Sequence, residues 1–287
     1  MQKYSVFNLI KNSFSSHENW EVAWKDPTPK KSYDVIIIGG GGHGLATAYY
    51  LAKEHNITNV AIIEKGWIGG GNVGRNTTII RSNFMHDANG RFNEFSMDLW
   101  RNMSQELNFN VMFSPRGIIN LAHSDAQMNA YARRGNSMRL NGIDAVLLNR
   151  EQVKKLIPMA DFSEDVRFPI FGGLMQPSAG TARHDAVAWG YARQADSMGV
   201  DIIQNCEVIG FDVVGGKIKG VRTSKGDIKA NKIGLCVAGS TSILAEKLNM
   251  TLPIETHLLQ ACVSEPIKPL LDHVVTFGAG HFYCSQS

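Results

Sequence analysis

A run of glycines between a strand pattern and a helical pattern constrains this chain more than any other feature. The β-branched run Val35–Ile38 predicts a strand buried on both faces, as in a parallel sheet. Four glycines follow at 39–42, and from His43 onward apolar residues recur at helical spacing, at Leu45, Ala48, Tyr49 and Ala52. The apolar run 59–64 predicts a second buried strand. Strand, glycine turn, helix and strand in this order predict a βαβ unit.

The glycine run satisfies the GxGxxG pattern of dinucleotide-binding loops. Gly39 would allow the tight turn, Gly41 would let the backbone approach a pyrophosphate, and Gly44 would let the helix pack closely against the strand. Glu64 ends the second strand, where a carboxylate would accept hydrogen bonds from a ribose 2′-OH. The motif in this context predicts dinucleotide binding and leaves FAD and NAD both open.

A second glycine-rich loop, residues 66–81, directly follows the second strand. It holds short polar side chains and two arginines, Arg75 and Arg81. An NAD-binding half has no need of such a loop. An extended FAD does need one, because its pyrophosphate and ribityl chain require further hydrogen-bond donors. The loop therefore favours FAD, and a plain NAD dehydrogenase is the least favoured class of enzyme.

Composition excludes several other classes of protein. The chain is 44% hydrophobic, which is enough for a packed core, and its net charge of +3 leaves no basic footprint for nucleic acid. The nine histidines and four cysteines show no metal-ligand spacing, so we expect no metal site and buried, reduced thiols. No secretory signal or apolar span is evident, which predicts a soluble cytoplasmic protein that does not enter the membrane.

Further elements follow along the chain from the same periodicity arguments. Helices are predicted at about 92–107, 126–140 and 183–198, and a hairpin at 209–222. Strands are predicted at 117–122, 201–208, 232–238, 258–264 and 274–283.

Four segments together resemble one known family. Residues 32–53, 69–83, 183–193 and 199–208 look like the β subunits of heterotetrameric sarcosine oxidases, which belong to the D-amino-acid-oxidase-like flavoproteins. The resemblance implies an α/β fold, in which a Rossmann-like, glutathione-reductase-type FAD-binding domain is interleaved with an α+β substrate domain on a mostly antiparallel sheet. Its implied divisions are an N-terminal arm at 1–31, an FAD-binding domain at 32–90 and 160–250, and a substrate domain at 91–159 and 251–287.

The resemblance also implies an activity, cofactors and partners. Such enzymes oxidise the N-methyl group of sarcosine to leave glycine, reduce O2 to H2O2, and pass the one-carbon unit to tetrahydrofolate. The β subunit would hold FAD without a covalent bond and carry an FMN bound covalently to a histidine. Its partners would be the α subunit and the smaller subunits.

Site residues are implied position by position. Arg81 would pair with the substrate carboxylate, for which its forked guanidinium is suited. His184, in the first turn of a helix whose dipole keeps the ring neutral and nucleophilic, would carry the FMN, and Arg183 would add positive charge for a flavin phosphate or an electron-rich flavin. The residues expected to contact FAD are Gly39, Gly41, Gly42, His43, Gly44, Glu64, Asn72, Thr77, Ile79 and, on the adenine side, Val208.

The chain departs from this family in length. Family members are longer, so we expect the substrate domain to be incomplete at the C-terminus, where a lysine of the family's oxygen or substrate chemistry would lie. Two alternatives therefore remain beside the sarcosine oxidase subunit: a single-chain FAD amine or amino-acid oxidase of the same superfamily, and a non-catalytic truncated fragment.

Overall fold

A computed structural model describes residues 5–16, 18 and 22–286 of the 287-residue chain. Its α-helices are α1 (Val6–Phe14), α2 (Gly42–His55), α3 (Asp87–Glu106), α4 (Asp125–Leu140), α5 (Arg150–Leu156), α6 (His184–Ser197) and α7 (Thr241–Glu246). Its strands are β1 (Ser32–Ile38), β2 (Val60–Ile63), β3 (Ile79–Ile80), β4 (Ile118–Ala122), β5 (Val146–Asn149), β6 (Gly172–Gln176), β7 (Gly180–Thr181), β8 (Asp201–Ile203), β9 (Val208–Val214), β10 (Lys217–Thr223), β11 (Gly226–Leu235), β12 (Val274–Phe277) and β13 (Phe282–Cys284).

The chain divides into two compact units. Unit 1 comprises Met1–Ile68 and Tyr191–Leu252, and unit 2 comprises Gly69–Gly190 and Pro253–Ser287. The division expected above, with an FAD-binding domain at 32–90 and 160–250, assigns residues by function and stays a prediction. Part of the expected N-terminal arm, residues 1–4, 17 and 19–21, lies outside the described residues.

Unit 1 is built on a six-stranded sheet in the order β8-β2-β1-β11-β10-β9. The strands β8, β2, β1 and β11 run parallel, so that Ile36 of β1 lies between Ala61 of β2 and Ile233 of β11. β9, β10 and β11 are joined as an antiparallel meander. Every residue of β2 is buried, as its continuous apolar run predicted. The βαβ unit and the mixed α/β fold class are confirmed.

Helix α2 buries the face that its periodicity predicted. Leu45, Ala48, Tyr49 and Ala52 are all buried. The helix ends where Asn56 adopts a left-handed conformation, with φ of 53°, and donates its backbone N–H to the carbonyl of Leu51. This helix therefore holds the preceding glycine loop at a defined place on the sheet edge.

Unit 2 contains a five-stranded sheet in the order β13-β12-β4-β6-β5. Only β12 and β4 pair in parallel, so the sheet is mostly antiparallel, as expected. Its apolar core includes Ile119, Leu121 and Leu148, with Val153 of α5 packed into the same cluster. The short strands β3 and β7 pair separately, which ties residues 79–80 to residues 180–181.

Some predicted elements differ in the structure. The strand predicted at 258–264 is wrong: this segment is irregular, and Leu258 and Val263 are each 98% exposed. The strand predicted at 201–208 is interrupted by a turn at Asn205, whose φ is 48°, so that β8 and β9 belong to opposite edges of the sheet. Helix α1 was not predicted, and Ser5 caps it by accepting the backbone N–H of Asn8.

Neither a membrane-spanning helix nor a cluster of metal ligands occurs among the described residues. None of the helices in that part of the chain is long and apolar enough to cross a membrane. No group of three or more His, Cys, Asp or Glu side chains in that part could hold a metal ion.

Candidate functional site

The glycine loop of unit 1 follows β1 and opens α2. Gly39 has a φ of 105°, and a Cβ there would lie 2.3 Å from the carbonyl oxygen of Cys236. A Cβ at Gly44 would lie 1.9 Å from the carbonyl oxygen of Gly39. At Gly41, by contrast, a Cβ would have no described atom within 4 Å. Two glycines are thus required for packing, and Gly41 faces open space that a ligand can occupy.

This loop lies where the strands of unit 1 end and a helix begins. β1, β2, β8 and β11 are parallel, so their carboxyl ends share one edge of the sheet. Gly41 is the N-cap of α2 and has no side chain to accept hydrogen bonds from the first amides of the helix. The helix dipole and these amides favour an anion at this position. The arrangement fits the pyrophosphate of a dinucleotide.

The Glu64 carboxylate ties this loop to the following one. Its Oε2 accepts the backbone N–H of Gly40 at 2.8 Å, and its Oε1 accepts the backbone N–H of Gly66 at 2.8 Å. Each carboxylate oxygen has a second lone pair, which could still accept a ribose hydroxyl. Glu64 therefore has a local structural role that sequence reasoning missed, beside the ribose contact that remains a prediction.

The other residues expected to contact FAD are distributed over both units. In unit 1, Gly42 and His43 lie in the first turn of α2, where His43 is exposed, and Val208 is buried as the first residue of β9. In unit 2, Asn72 begins a short 3-10 helix, and Thr77 and Ile79 lead into and begin β3. Their contacts with FAD stay predictions.

Arg81 in unit 2 is a half-buried cation held by neutral groups. Its Nη1 donates to Oδ1 of Asn83 at 2.5 Å, and its guanidinium carbon lies 4.7 Å from the centre of the Phe84 ring. Burial lowers the pKa of Arg81. No carboxylate among the described residues forms an ion pair with it. Its positive charge is therefore available to a ligand.

A network of buried amides positions the segment that carries Arg81. The Asn83 side chain donates to Oδ1 of Asn120 at 2.7 Å, and Asn120 in turn donates to the hydroxyl of Thr276. The backbone N–H of Ser82 donates to Oε1 of Gln176 at 3.0 Å. Asn83 and Gln176 are fully buried. These residues come from distant parts of the chain, and no local sequence pattern marked them.

Arg81 opens onto a cavity of about 890 Å³ that lies within unit 2. A second arginine, Arg134 of α4, also lines this cavity. Thr77 donates its hydroxyl to that of Tyr283 at 3.0 Å at the cavity wall. The lining residues are Asn76, Thr77, Thr78, Ile79, Arg81, Phe84, Met85, Ile118, Asn120, Ala130, Tyr131, Arg134, Thr276 and Tyr283. The described lining therefore contains two cations and no Asp, Glu, His or Lys.

His184 is the first residue of α6, as predicted, and its ring is mostly buried. Its Nδ1 atom is buried and has no hydrogen-bond partner among the described residues. Arg183 makes an ion pair with Asp185, with Nε 3.0 Å from Oδ1, and this contact and the backbone N–H of Ala186 lower the pKa of Asp185 against the effect of burial. The positive charge expected from Arg183 is thus already compensated. The orphaned ring nitrogen fits a covalent attachment point.

Comparison with known proteins identifies relatives of this chain. The family model of FAD dependent oxidoreductases matches residues 34–287. The sarcosine oxidase subunit beta of Rhizobium meliloti (strain 1021) is 60% identical over 285 residues, which are 99% of this chain and 68% of that protein. The sarcosine oxidase subunit beta of Arthrobacter sp is 52% identical over 94% of this chain and 67% of that protein.

A solved structure shares the same architecture. The L-proline dehydrogenase of P. horikoshii superposes with a TM-score of 0.77 at 26% sequence identity, covering 90% of this chain and 68% of that one.

Proposed function

This chain belongs to the FAD-dependent oxidoreductase family and, within it, to the sarcosine oxidase β subunits, and from this we propose that it binds and oxidises sarcosine. The N-methyl carbon would be oxidised and released from nitrogen to leave glycine. We propose further that O2 is reduced to H2O2 and that tetrahydrofolate takes the one-carbon unit. The observation that carries the proposal is Arg81, a guanidinium that forms no ion pair with a described residue and lines a cavity whose described lining has no acidic group.

The glycine loop supports FAD as the cofactor. Gly41 and the first amides of α2 would bind its pyrophosphate, and Glu64 would bind its ribose. When bound, FAD supplies the acceptor for the hydride equivalent that leaves the N-methyl carbon. Gly39 and Gly44 keep the loop in the shape that this binding requires.

Arg81 would orient the substrate. Two parallel N–H donors of a guanidinium match the two oxygens of a carboxylate, and the half-buried position of Arg81 strengthens that contact. The described lining of the cavity offers no carboxylate, histidine or lysine as a strong base. The neutral amine of sarcosine would therefore react through its own lone pair. The contribution of these residues to the rate is orientation.

We assign His184 as the attachment point of a covalent FMN. Its Nδ1 makes no hydrogen bond with a described residue, although Oδ1 of Asp185 lies 3.9 Å away, and a neutral imidazole can act as a nucleophile. When bound, FMN supplies a second redox centre through which electrons reach oxygen. The Arg183–Asp185 ion pair at the start of α6 would keep the local charge balanced beside it.

We also propose that the chain works as the β subunit of a hetero-oligomer with the α subunit and smaller subunits, because its relatives are named as β subunits. A cytoplasmic location is supported by its four cysteines, all of which are free thiols.

The role of Arg81 can be tested with Arg81→Gln in protein coexpressed with the other subunits. Because hydrogen bonds to charged groups contribute about 1.5–3 kcal/mol, KM for sarcosine should rise about ten- to hundredfold while the FAD content stays unchanged. Arg139→Gln removes the same charge from an exposed site of unit 2 and should leave KM unchanged. An unaltered KM in Arg81→Gln would contradict the proposal.

The flavin attachment can be tested on the same complex. Acid precipitation, washing and peptide mass mapping should find a flavin on the peptide that contains His184. The His184→Asn variant should release all flavin into the supernatant. A wild-type pellet without flavin would instead favour an oxidase that binds FAD alone.

A further inference from the structure

A second arginine faces the cavity that contains Arg81. Arg134 lies on α4, one turn beyond Tyr131, and both side chains line the cavity. Its Nε donates to the backbone carbonyl of Asn83 at 2.6 Å, and its Nη2 donates to the same oxygen. Its Nη1 makes no hydrogen bond with a described residue. Sequence reasoning assigned no role to this position.

Asn83 holds both guanidinium groups without neutralising either. Its side-chain oxygen accepts from Arg81, and its backbone oxygen accepts from Arg134. A carbonyl oxygen orients a cation but carries no net charge. Two like charges are therefore held close to one buried residue, with no carboxylate in the described lining to balance them. Burial, followed by the charge of Arg81, lowers the pKa of Arg134 against a smaller, opposite effect of Tyr131.

Holding the guanidinium groups of Arg81 and Arg134 close together and partly away from water costs free energy unless a ligand brings negative charge. Desolvated cations are stabilised by anions within hydrogen-bond distance, and guanidinium groups bind carboxylates through paired donors. Arg81 and Arg134 are held by different oxygens of Asn83, so each guanidinium group can bind a carboxylate of its own. The cavity of about 890 Å³ also has room for a ligand larger than sarcosine.

We propose that Arg134 is a second anion-binding residue, so that the cavity takes molecules with two carboxylates. One carboxylate would bind Arg81 and the other would bind Arg134. The ligand class is that of aliphatic dicarboxylates, including N-methyl amino acids with a carboxylate in the side chain. This inference rests on the proposed carboxylate-binding role of Arg81.

The experiment compares two acid series on the assembled holoenzyme. Propionate, butyrate and pentanoate are titrated beside malonate, succinate and glutarate, the dicarboxylates of the same chain lengths, with binding followed by calorimetry and by competition with sarcosine. The best dicarboxylate should bind at least about tenfold more tightly than the monocarboxylate of the same length, because it gains a second charge-assisted contact. Equal affinities in the wild-type protein would overturn the proposal.

Variants of α4 locate the second contact. Arg134→Met should bring the affinities of the two series to within about twofold of each other, whereas Arg133→Met, which removes a neighbouring exposed charge, should keep the preference. Arg134→Lys keeps the positive charge and a donor for the Asn83 carbonyl, so it should keep part of the preference for dicarboxylates. This variant replaces Arg134→Met if the methionine variant folds poorly. An unchanged preference in a folded Arg134→Met protein would overturn the proposal.

Two further outcomes separate this proposal from the one above. If Arg134→Met weakens mono- and dicarboxylates equally, one carboxylate bridges both arginines and the second position does not exist. If Arg81→Gln weakens neither series, the proposed function itself fails, whatever Arg134 does.

Discussion

The glycine loop of unit 1 and the arginine cavity of unit 2 are built in opposite ways. The loop is one continuous segment, whose shape requires the absence of side chains at Gly39 and Gly44, while Gly41 leaves open space for a ligand. The cavity is assembled from side chains of segments as distant as 76–85, 118–120, 130–134 and 276–283. A site made of backbone can be predicted from neighbouring residues, whereas a site made of side-chain contacts depends on which distant segments meet.

The two regions also differ in the forces that define them. In the loop, added atoms would collide with backbone carbonyls at 1.9–2.3 Å, so steric exclusion dominates. In the cavity, neutral amides hold charged groups in place, so electrostatics dominates. An added methyl group should therefore disturb the glycine loop most, and an added charge should disturb the arginine cavity most.

The largest effect is expected from alanine substitutions in the glycine loop. Gly44→Ala forces the backbone apart and should lower the free energy of unfolding by about 1–3 kcal/mol or more. Gly41→Ala meets no protein atom, so stability should be retained while FAD binds about tenfold or more weakly, because the methyl group occupies ligand space. Thermal denaturation and FAD content measure the two effects.

This pair of variants tests the assignment of glycine roles directly. The interpretation is wrong if Gly41→Ala binds FAD normally, or if Gly44→Ala is as stable as the wild-type protein.

In the cavity, adding a charge should have a large effect on binding. Asn83→Asp keeps the size of the side chain but places a carboxylate against Arg81. The new ion pair competes with the substrate carboxylate, so KM for sarcosine should rise about tenfold or more. Steady-state kinetics and bound FAD are measured together.

Asn110→Asp is the matched control, because Asn110 is an exposed residue of unit 2 outside the cavity lining. It should leave KM unchanged. A normal KM in Asn83→Asp would mean that Arg81 does not bind the substrate carboxylate.

Glu64 offers a smaller test, within unit 1. The Glu64 carboxylate accepts the backbone N–H groups of Gly40 and Gly66, one with each oxygen. In Glu64→Gln the single side-chain oxygen can accept only one of them, and the other N–H faces an NH2 group and loses its acceptor. The free energy of unfolding should fall by about 1–3 kcal/mol, as measured by denaturant titration. Glu54→Gln, on the exposed side of α2, should change it by no more than about 0.5 kcal/mol. An equal change in the free energy of unfolding for both variants would contradict the structural role of Glu64.

The smallest effect is expected at Tyr33, a buried residue of β1. Its hydroxyl donates to Asp201 at 2.9 Å and accepts the backbone N–H of Lys30, and burial is the main cause that raises its pKa from 10.0 to about 12. Tyr33→Phe should destabilise the protein by about 1 kcal/mol at neutral pH.

The effect of Tyr33→Phe should also depend on pH. Between pH 10 and about 12 the unfolded wild-type chain loses the Tyr33 proton and the folded chain keeps it, so the stability of the wild-type protein falls as pH rises. The phenylalanine variant lacks this loss. The difference in unfolding free energy between the wild-type protein and Tyr33→Phe should therefore narrow above pH 10. A difference that stays constant with pH would contradict the raised pKa of Tyr33.

Sequence predictions were correct for features that neighbouring residues decide and wrong for features that depend on contacts between distant segments. The buried face of α2, at Leu45, Ala48 and Tyr49, was predicted because helical periodicity depends only on neighbouring residues. The strand at 258–264 was wrong, because an apolar run becomes a strand only where a partner strand pairs with it. None of the described strands does so there.

Arg81 was singled out through family resemblance, yet its partners were not found. Asn83, only two residues away, gave no signal, because a buried asparagine has no periodic or spacing pattern of its own. Arg134 lies further along the chain, and its contact with Asn83 depends on how α4 packs in unit 2.

The sequence by itself determined the βαβ unit, the glycine turn and the position of His184 at the start of a helix. These features follow from backbone conformations and periodicities that a few neighbouring residues decide. Only the tertiary structure decided that two arginines share one cavity and that a single asparagine holds both. Their meeting depends on the packing of α4 and on the loop after β3, whereas sequence patterns report only local preferences.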